Sequence, residues 1–236
     1  MTEQIEIRDL SKSFSVDGQR LEVLKELNLS VPAREITVIL GRSGCGKTTL
    51  LRLIGGLDKD FSGTIAAPRD ARTAFVFQEA RLMPWLTVRQ NIAFGLKKNE
   101  IDPAQIDALV ALTGLDGFAD AYPRQLSGGM SQRCALARAL ALHPQFILMD
   151  EPFAALDHFT REKMQQALLD IHRSSRCGVL FVTHSIDEAL AIGRRIVVLE
   201  DKKVKKVYPL EQDWREKCSE EQYRALKEDI LSSIHH

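Results

Sequence analysis

The sequence predicts an α/β fold with a mostly parallel central sheet. Three observations carry that expectation. Strand-like and helix-like segments alternate at both ends of the 236-residue chain, the pattern that gives a parallel sheet with helices on its faces. Two stretches, QFILMDEP (145–152) and GVLFVTH (178–184), contain apolar runs without alternation, as strands covered on both faces require. Between the strand-rich parts lies a block of roughly 65 residues with almost no strand signal.

Each element follows from its pattern. IEIRDL (5–10) alternates apolar and polar positions, so it reads as a half-buried strand. Residues 21–31 and EITVIL (35–40) continue the strand pattern across a turn. TTLLRLIGGL is a helix that stops at Gly55–Gly56, because glycine favours the conformation that ends helices. SGTIAA and TAFVFQ are further strands. WLTVRQNIAFGL, PAQIDALVALTG and SGGMSQRCALARALALH read as three helices, the last from about Met130 to Leu142. After QFILMDEP come a helix at about 160–174, the strand GVLFVTH, a short helix and the strand RRIVVLE. KVKKVY reads as an edge strand, since lysines suit an exposed edge. Residues 211–234 read as one or two terminal helices.

Composition narrows the function. Lysine plus arginine equals aspartate plus glutamate, 32 each, which argues against the broad basic surface of a nucleic-acid binder. No window approaches the length of a membrane-spanning apolar helix, and MTEQIEIRDL has no apolar core of a signal peptide. Cys45, Cys134, Cys177 and Cys218 form no C-x-x-C pair and read as reduced thiols packed as small hydrophobes. Cys45 stands apart: a neighbouring cation, Lys47, and a helix start are expected to lower its pKa.

The chemistry starts at GRSGCGKTT (41–49), which fits G-x-x-x-x-G-K-[ST] between a strand and a helix. That context marks a P-loop NTPase core. Gly41, Gly44 and Gly46 let the backbone of Arg42, Ser43 and Cys45 turn its N–H groups toward phosphate. Lys47 adds a charge at the β- and γ-phosphates, the Thr48 hydroxyl is placed for magnesium, and Thr49 completes the nucleotide-binding loop. A tight turn alone explains the glycines but not Lys47 with Thr48. FILMDEP delivers two carboxylates to the carboxyl edge of the sheet, where open α/β sheets bind ligands. Asp150 is expected to hold magnesium and Glu151 to orient and deprotonate water. His184 and Gln78 end two other apolar strands. His184 is expected to hydrogen-bond the γ-phosphate, and Gln78 to reach the magnesium or the attacking water.

A second anion site is expected at Ser127, Gly128 and Gly129, where a helix start offers free N–H groups. The alternative is a serine N-cap with spacer glycines. One nucleotide would be contacted twice if two chains faced each other.

GRSGCGKTT, Gln78, LSGGM, FILMDEP, ALD (155–157) and His184 stand in the order found in the ATP-binding cassette (ABC) ATPases. LSGGM resembles that family's signature, and the resemblance runs from about Ile5 to Tyr208. It implies ATP and Mg2+ as cofactors and a head-to-tail, ATP-dependent homodimer. Ser127 and Gly129 would then contact the γ-phosphate held by the partner chain, Asp157 would lie at the seam, and Phe14 would stack on adenine. Met130 departs from the family, which often has Gln or Glu there. The family's architecture would place an ATPase core with an N-terminal antiparallel β region at 1–78 and 145–210, an inserted α-helical subdomain at 79–144, and a C-terminal helical tail at 211–236.

The apolar cluster Leu82, Met83, Trp85 and Leu86 is expected to be mostly core of the helical block. In the family this segment also forms part of a groove for a transmembrane permease subunit. LMPWLTVRQNIAFGL and LSGGM are most similar to bacterial importers of nitrate, sulfonate, taurine and bicarbonate. The resemblance thus implies a peripheral ATPase on the cytoplasmic face of the bacterial inner membrane. It would energise import and depend indirectly on a periplasmic or lipoprotein solute-binding protein, with no nucleic-acid partner. An exporter or lipid-extraction ATPase shares the same motifs. A non-transport cassette usually carries two P-loops or a long coiled-coil insert; here one P-loop occurs, and 48 residues (79–126) separate Gln78 from Ser127. A P-loop kinase or GTPase has no use for LSGGM.

Overall fold

Alternation builds the first sheet. In β1 (Gln4–Val16) the side chains of Ile5, Ile7 and Leu10 are buried, and β1 pairs antiparallel with β2 (Gln19–Pro32) and β4 (Ser62–Ala66). The strand expected at 5–10 runs on to Val16, through shifts of register. It ends in a two-residue turn, Asp17–Gly18, both at positive φ (51° and 77°). That is the Asp-Gly hairpin turn whose twist matches the flanking strands. The computed structural model describes residues 4–68, 71–154, 156–175, 177–211 and 214–235. Ala155 of the ALD stretch and the terminal His236 lie outside the described residues.

The second sheet has the spatial order β5 (Thr73–Val76), β6 (Phe146–Asp150), β7 (Gly178–Thr183), β3 (Ile36–Leu40), β8 (Arg195–Glu200), β9 (Lys203–Pro209). The first five are parallel, and β9 pairs antiparallel with β8 at the edge. Every residue of β3, β6 and β7 is buried, which is why their sequences show no alternation. The two faces still alternate in what they touch. Phe146 and Leu148 pack with α1 (Lys47–Ile54) and the first sheet. Ile147 and Met149 face the cluster that holds α5 (His158–Ser175), α6 (Ile186–Ile192) and α8 (Glu220–His235). A short α7 (Trp214–Lys217) precedes α8.

The helical block has an apolar cluster of its own. Val88 and Ile92 of α2 (Val88–Ala93), Ile106 and Val110 of α3 (Pro103–Leu112), and Cys134, Ala137 and Ala141 of α4 (Gly128–Ala141) meet there. Alanine on α4 lets the helices approach closely. Thr87 caps α2 through a capping box with Gln90, so the WLT of the expected helix lies outside it. Asn91 is fully buried and holds that outer segment: its Nδ2 donates to the carbonyls of Leu86 (3.0 Å), Thr87 (3.0 Å) and Met83 (3.2 Å), and its Oδ1 accepts the Met83 N–H at 2.8 Å. Removing a buried hub strands polar groups that cost about 1–3 kcal/mol apiece. Asn91→Ala should therefore lower unfolding free energy by about 2–3 kcal/mol in a urea titration.

Candidate nucleotide site

Because β3, β5, β6 and β7 are parallel, their carboxyl ends share one edge. Gly41 follows β3, Gln78 lies two residues beyond β5, Asp150 ends β6 with Glu151 next, and His184 follows β7. The four strand ends predicted to converge are thus brought to one edge of the sheet.

The loop between β3 and α1 shows why its glycines are needed. Gly44 and Gly46 have φ of 84° and 100°, a region that side chains avoid. A Cβ on Gly41 would lie 2.4 Å from the Leu199 carbonyl oxygen. Gly46 caps α1 without any side-chain hydrogen bond, so the first-turn N–H groups keep their affinity for an anion. The Lys47 ammonium is buried and donates to the carbonyls of Gly41 and Arg42, both at 2.8 Å. It braces the loop and places a positive charge inside it.

Thr48 Oγ1 donates to Asp150 Oδ1 at 2.9 Å. Burial pushes the Asp150 carboxyl above its ordinary range, and the Thr48 hydrogen bond only partly offsets it. A hydroxyl and a carboxylate in contact are hard oxygen donors of the kind magnesium takes, alongside phosphate and water. Among the described residues no group of three or more His, Cys, Asp or Glu could hold a metal alone. The Thr48–Asp150 oxygen pair fits a magnesium ion that would take its remaining ligands from phosphate and water.

Glu151 has φ 44°, a left-handed backbone that costs a non-glycine residue on the order of 1 kcal/mol. It is held there by its N–H, which donates to the Val182 carbonyl at 3.0 Å. This turn lifts the carboxylate off the strand line, and its Oε2 stands 3.1 Å from His184 Nδ1. Gln78 is exposed. The turn beneath it is tied to the helical block, since Gln132 Nε2 of α4 donates to the Phe77 carbonyl at 2.8 Å.

The signature segment is on α4, which begins at Gly128 rather than Met130. Gly128 and Gly129 are therefore its first turn, not a spacer before it. Ser127 does cap the helix, its Oγ accepting the Met130 N–H at 3.2 Å. A Cβ on Gly129 would press on Leu156 Cδ2 at 3.1 Å, whereas one on Gly128 would meet nothing within 4 Å. Packing explains the second glycine but not the first. Asp157 caps α5, accepting from Thr160 N–H (3.0 Å) and Thr160 Oγ1 (2.6 Å), and these bonds hold its carboxyl below the ordinary range. Phe14 is exposed on β1, with the Lys12 ammonium 4.7 Å from its ring centroid. Lys12 in turn is paired with Asp58 at 2.9 Å and Asp60 at 3.2 Å.

Burial overturns two further expectations. The Cys45 thiol is pushed up, not down: burial outweighs the opposing charge of Lys47. Iodoacetamide at pH 7 should therefore modify Cys45 more slowly than a thiol of an unfolded chain, and more slowly again with ATP present; faster labelling would contradict this placement. Trp85 is not core, being 69% exposed. Leu82 does pack on the helical block, while Met83 helps line an apolar cavity of about 370 Å3 with Phe75, Phe77, Phe94 and Leu142. Asn91, Gln132 and Glu188, each buried, were not singled out by the sequence because a lone polar residue within a helix pattern carries no signal of its partner.

The chain matches the profile of the ABC transporter family over residues 24–154. It is 41% identical to the aliphatic sulfonates import ATP-binding protein SsuB of Bacillus subtilis, over 94% of this chain and 91% of that protein. It is 50% identical to SsuB 2 of Pseudomonas syringae over 75% of each. Among solved structures, the dimeric post-hydrolysis state of the ATP-binding cassette MJ0796 bound to ADP and Pi aligns with a TM-score of 0.79 at 32% identity, covering 88% of this chain and 99% of that one. With the phosphate loop, the paired carboxylates and the signature helix all in place, the chain belongs to the ABC transporter family as an ATP-binding cassette.

Proposed function

We propose that this chain hydrolyses ATP to energise uptake of a sulfonate-like solute through a membrane permease. The observation that carries the enzymatic part is the Glu151–His184 pair at the edge that also holds Lys47 and Asp150. Gly41, Arg42, Ser43, Gly44, Cys45, Gly46 and Thr49 cradle the phosphates, and Lys47 neutralises them. Thr48 and Asp150 hold magnesium, with Gln78 as a further ligand or water contact; the ion, when bound, screens the phosphate charge during transfer. Glu151 takes the proton of the attacking water, and His184 hydrogen-bonds the γ-phosphate from the neighbouring strand end. Phosphoryl transfer needs little more than this positioning and electrostatic stabilisation.

The second half of the site comes from another copy. Ser127, Gly128 and Gly129 offer the N-terminus of α4 to the γ-phosphate on the partner chain, Asp157 lies at the seam, and Phe14 stacks on adenine. The unexplained Gly128 supports this reading, as do the dimeric MJ0796 structure and the exposed position of Phe14. Residues 1–78 and 145–210 act as the core, 79–144 as the moving helical part, and 211–236 as a tail. The apolar cavity beside Met83, with Trp85 exposed nearby in the sequence, is the surface for a permease helix. A solute-binding protein then acts through the permease, and the chain sits on the cytoplasmic face of the membrane. Among the described residues no helix is long and apolar enough to cross a bilayer.

Relatives named as aliphatic sulfonates import ATP-binding proteins support the solute class. Deleting the gene in its host should abolish uptake of a radiolabelled alkanesulfonate and leave sulfate uptake intact. Unchanged sulfonate uptake would contradict the import reading.

A further inference from the structure

Beneath the Glu151–His184 pair runs a chain of buried contacts that spans two loops of the site. Thr183 is the last residue of β7, directly before His184. Its Oγ1 donates to Glu188 Oε2 at 2.6 Å and accepts the Ser185 N–H at 3.0 Å, so the backbone on both sides of His184 is pinned. The other carboxylate oxygen of Glu188 lies 3.3 Å from Arg161 Nε. Glu188 is only 8% exposed in its side chain, so its charge needs a partner close by. Arg161 then reaches the opposite loop: its Nη2 donates to the Leu156 carbonyl at 2.8 Å, one residue before Asp157. Leu156 is the side chain on which Gly129 packs.

The Arg161 Nε–H is buried without an aligned hydrogen-bond acceptor, so the tie to Glu188 is held by charge rather than by hydrogen-bond geometry. A contact of that kind has no angular requirement, so it keeps the two loops tied through small changes in side-chain orientation. The contacts border a cavity of about 390 Å3 that also reaches Glu151 and His184.

We propose that Glu188 and Arg161 are positioning residues, which fix the His184 imidazole relative to Glu151 and set that geometry by the position of the 156–157 turn. Neither residue is among those assigned above to hold the nucleotide. The inference rests on the ATPase reading above and adds to it a route by which the seam of the dimer acts on the catalytic pair.

The test compares wild type with Glu188→Gln, Arg161→Gln and the double variant, reading kcat, ATP affinity and the ring 15N shifts of His184. Glu188→Gln keeps an oxygen for Thr183 and loses only the charge. Each single variant should lower kcat about 10-fold or more, leave ATP affinity within about 2-fold, and move the His184 Nδ1 shift. The double variant should be no slower than the worse single one, because both remove the same link. Single variants within 2-fold of wild type in kcat, losses that multiply, or an unmoved histidine shift would overturn the proposal. If Glu188→Gln does not fold, Thr183→Val cuts the same chain at its other end and is judged by the same criteria. A wild type that does not hydrolyse ATP would instead sink the functional reading itself.

Discussion

Glu151→Gln should bind ATP as tightly as wild type and hydrolyse it about 10²-fold to 10⁴-fold more slowly, the range that general bases contribute. The substitution keeps the size of the side chain and a partner for His184 Nδ1, which stands 3.1 Å from the carboxylate. It removes only the ability to take a proton. The phosphate loop, Thr48 and Asp150 are untouched, so the nucleotide has no reason to leave. With turnover blocked, ATP should hold two chains together, and a sizing column run in ATP should show a dimer. Near-normal hydrolysis would mean that another group activates water. A monomer at high protein and ATP concentrations would mean that no second chain completes the site.

Lys47→Ala should lose both binding and turnover. The ammonium makes two hydrogen bonds to loop carbonyls from a buried position, so its removal slackens the loop and deletes the charge meant for phosphate. Charged hydrogen bonds contribute about 1.5–3 kcal/mol each. On that scale ATP affinity, read by fluorescent-nucleotide titration, should fall at least about 10-fold and hydrolysis at least about 10²-fold. Retained turnover would refute the assignment of this loop to the γ-phosphate. The two variants fail differently: one traps nucleotide, the other never holds it.

The parts of this site that sequence made legible are those whose chemistry is local. A glycine-rich turn with Lys47 and Thr48 needs nothing distant to be read, and a buried strand ending in Asp150–Glu151 announces its own edge. Convergence of Gln78 and His184 on that edge followed from parallel pairing, which the alternation of strand and helix implied. Legibility ended where a property depends on what surrounds a group. Cys45 lies beside a cation in sequence, but the loop folds over it and burial decides its pKa. Trp85 belongs to an apolar run, yet Asn91 anchors the backbone on either side of it and leaves the ring exposed. The start of α4 moved by two residues because the glycines after the Ser127 cap are themselves helical, forming the first turn and not a spacer. The extension of β1 was readable from the Asp-Gly pair at 17–18, a signal that passes unnoticed when strands are sought by alternation alone. The Thr183–Glu188–Arg161 tie joins residues from three separate elements, β7, α6 and α5, and nothing in any one of these segments points to the others.

In the proposed dimer each nucleotide is enclosed by the phosphate loop of one chain and the signature turn of another. Mixing two defective chains tests it directly, both in the Glu151→Gln background. One carries Lys47→Ala and an intact Ser127–Gly129; the other carries Gly129→Asp and an intact loop. Neither alone should trap ATP in a dimer. Together they restore one complete site per pair, so the account predicts a mixed dimer that retains one ATP. No trapped nucleotide in the mixture, or trapping by the Gly129→Asp chain alone, would contradict it.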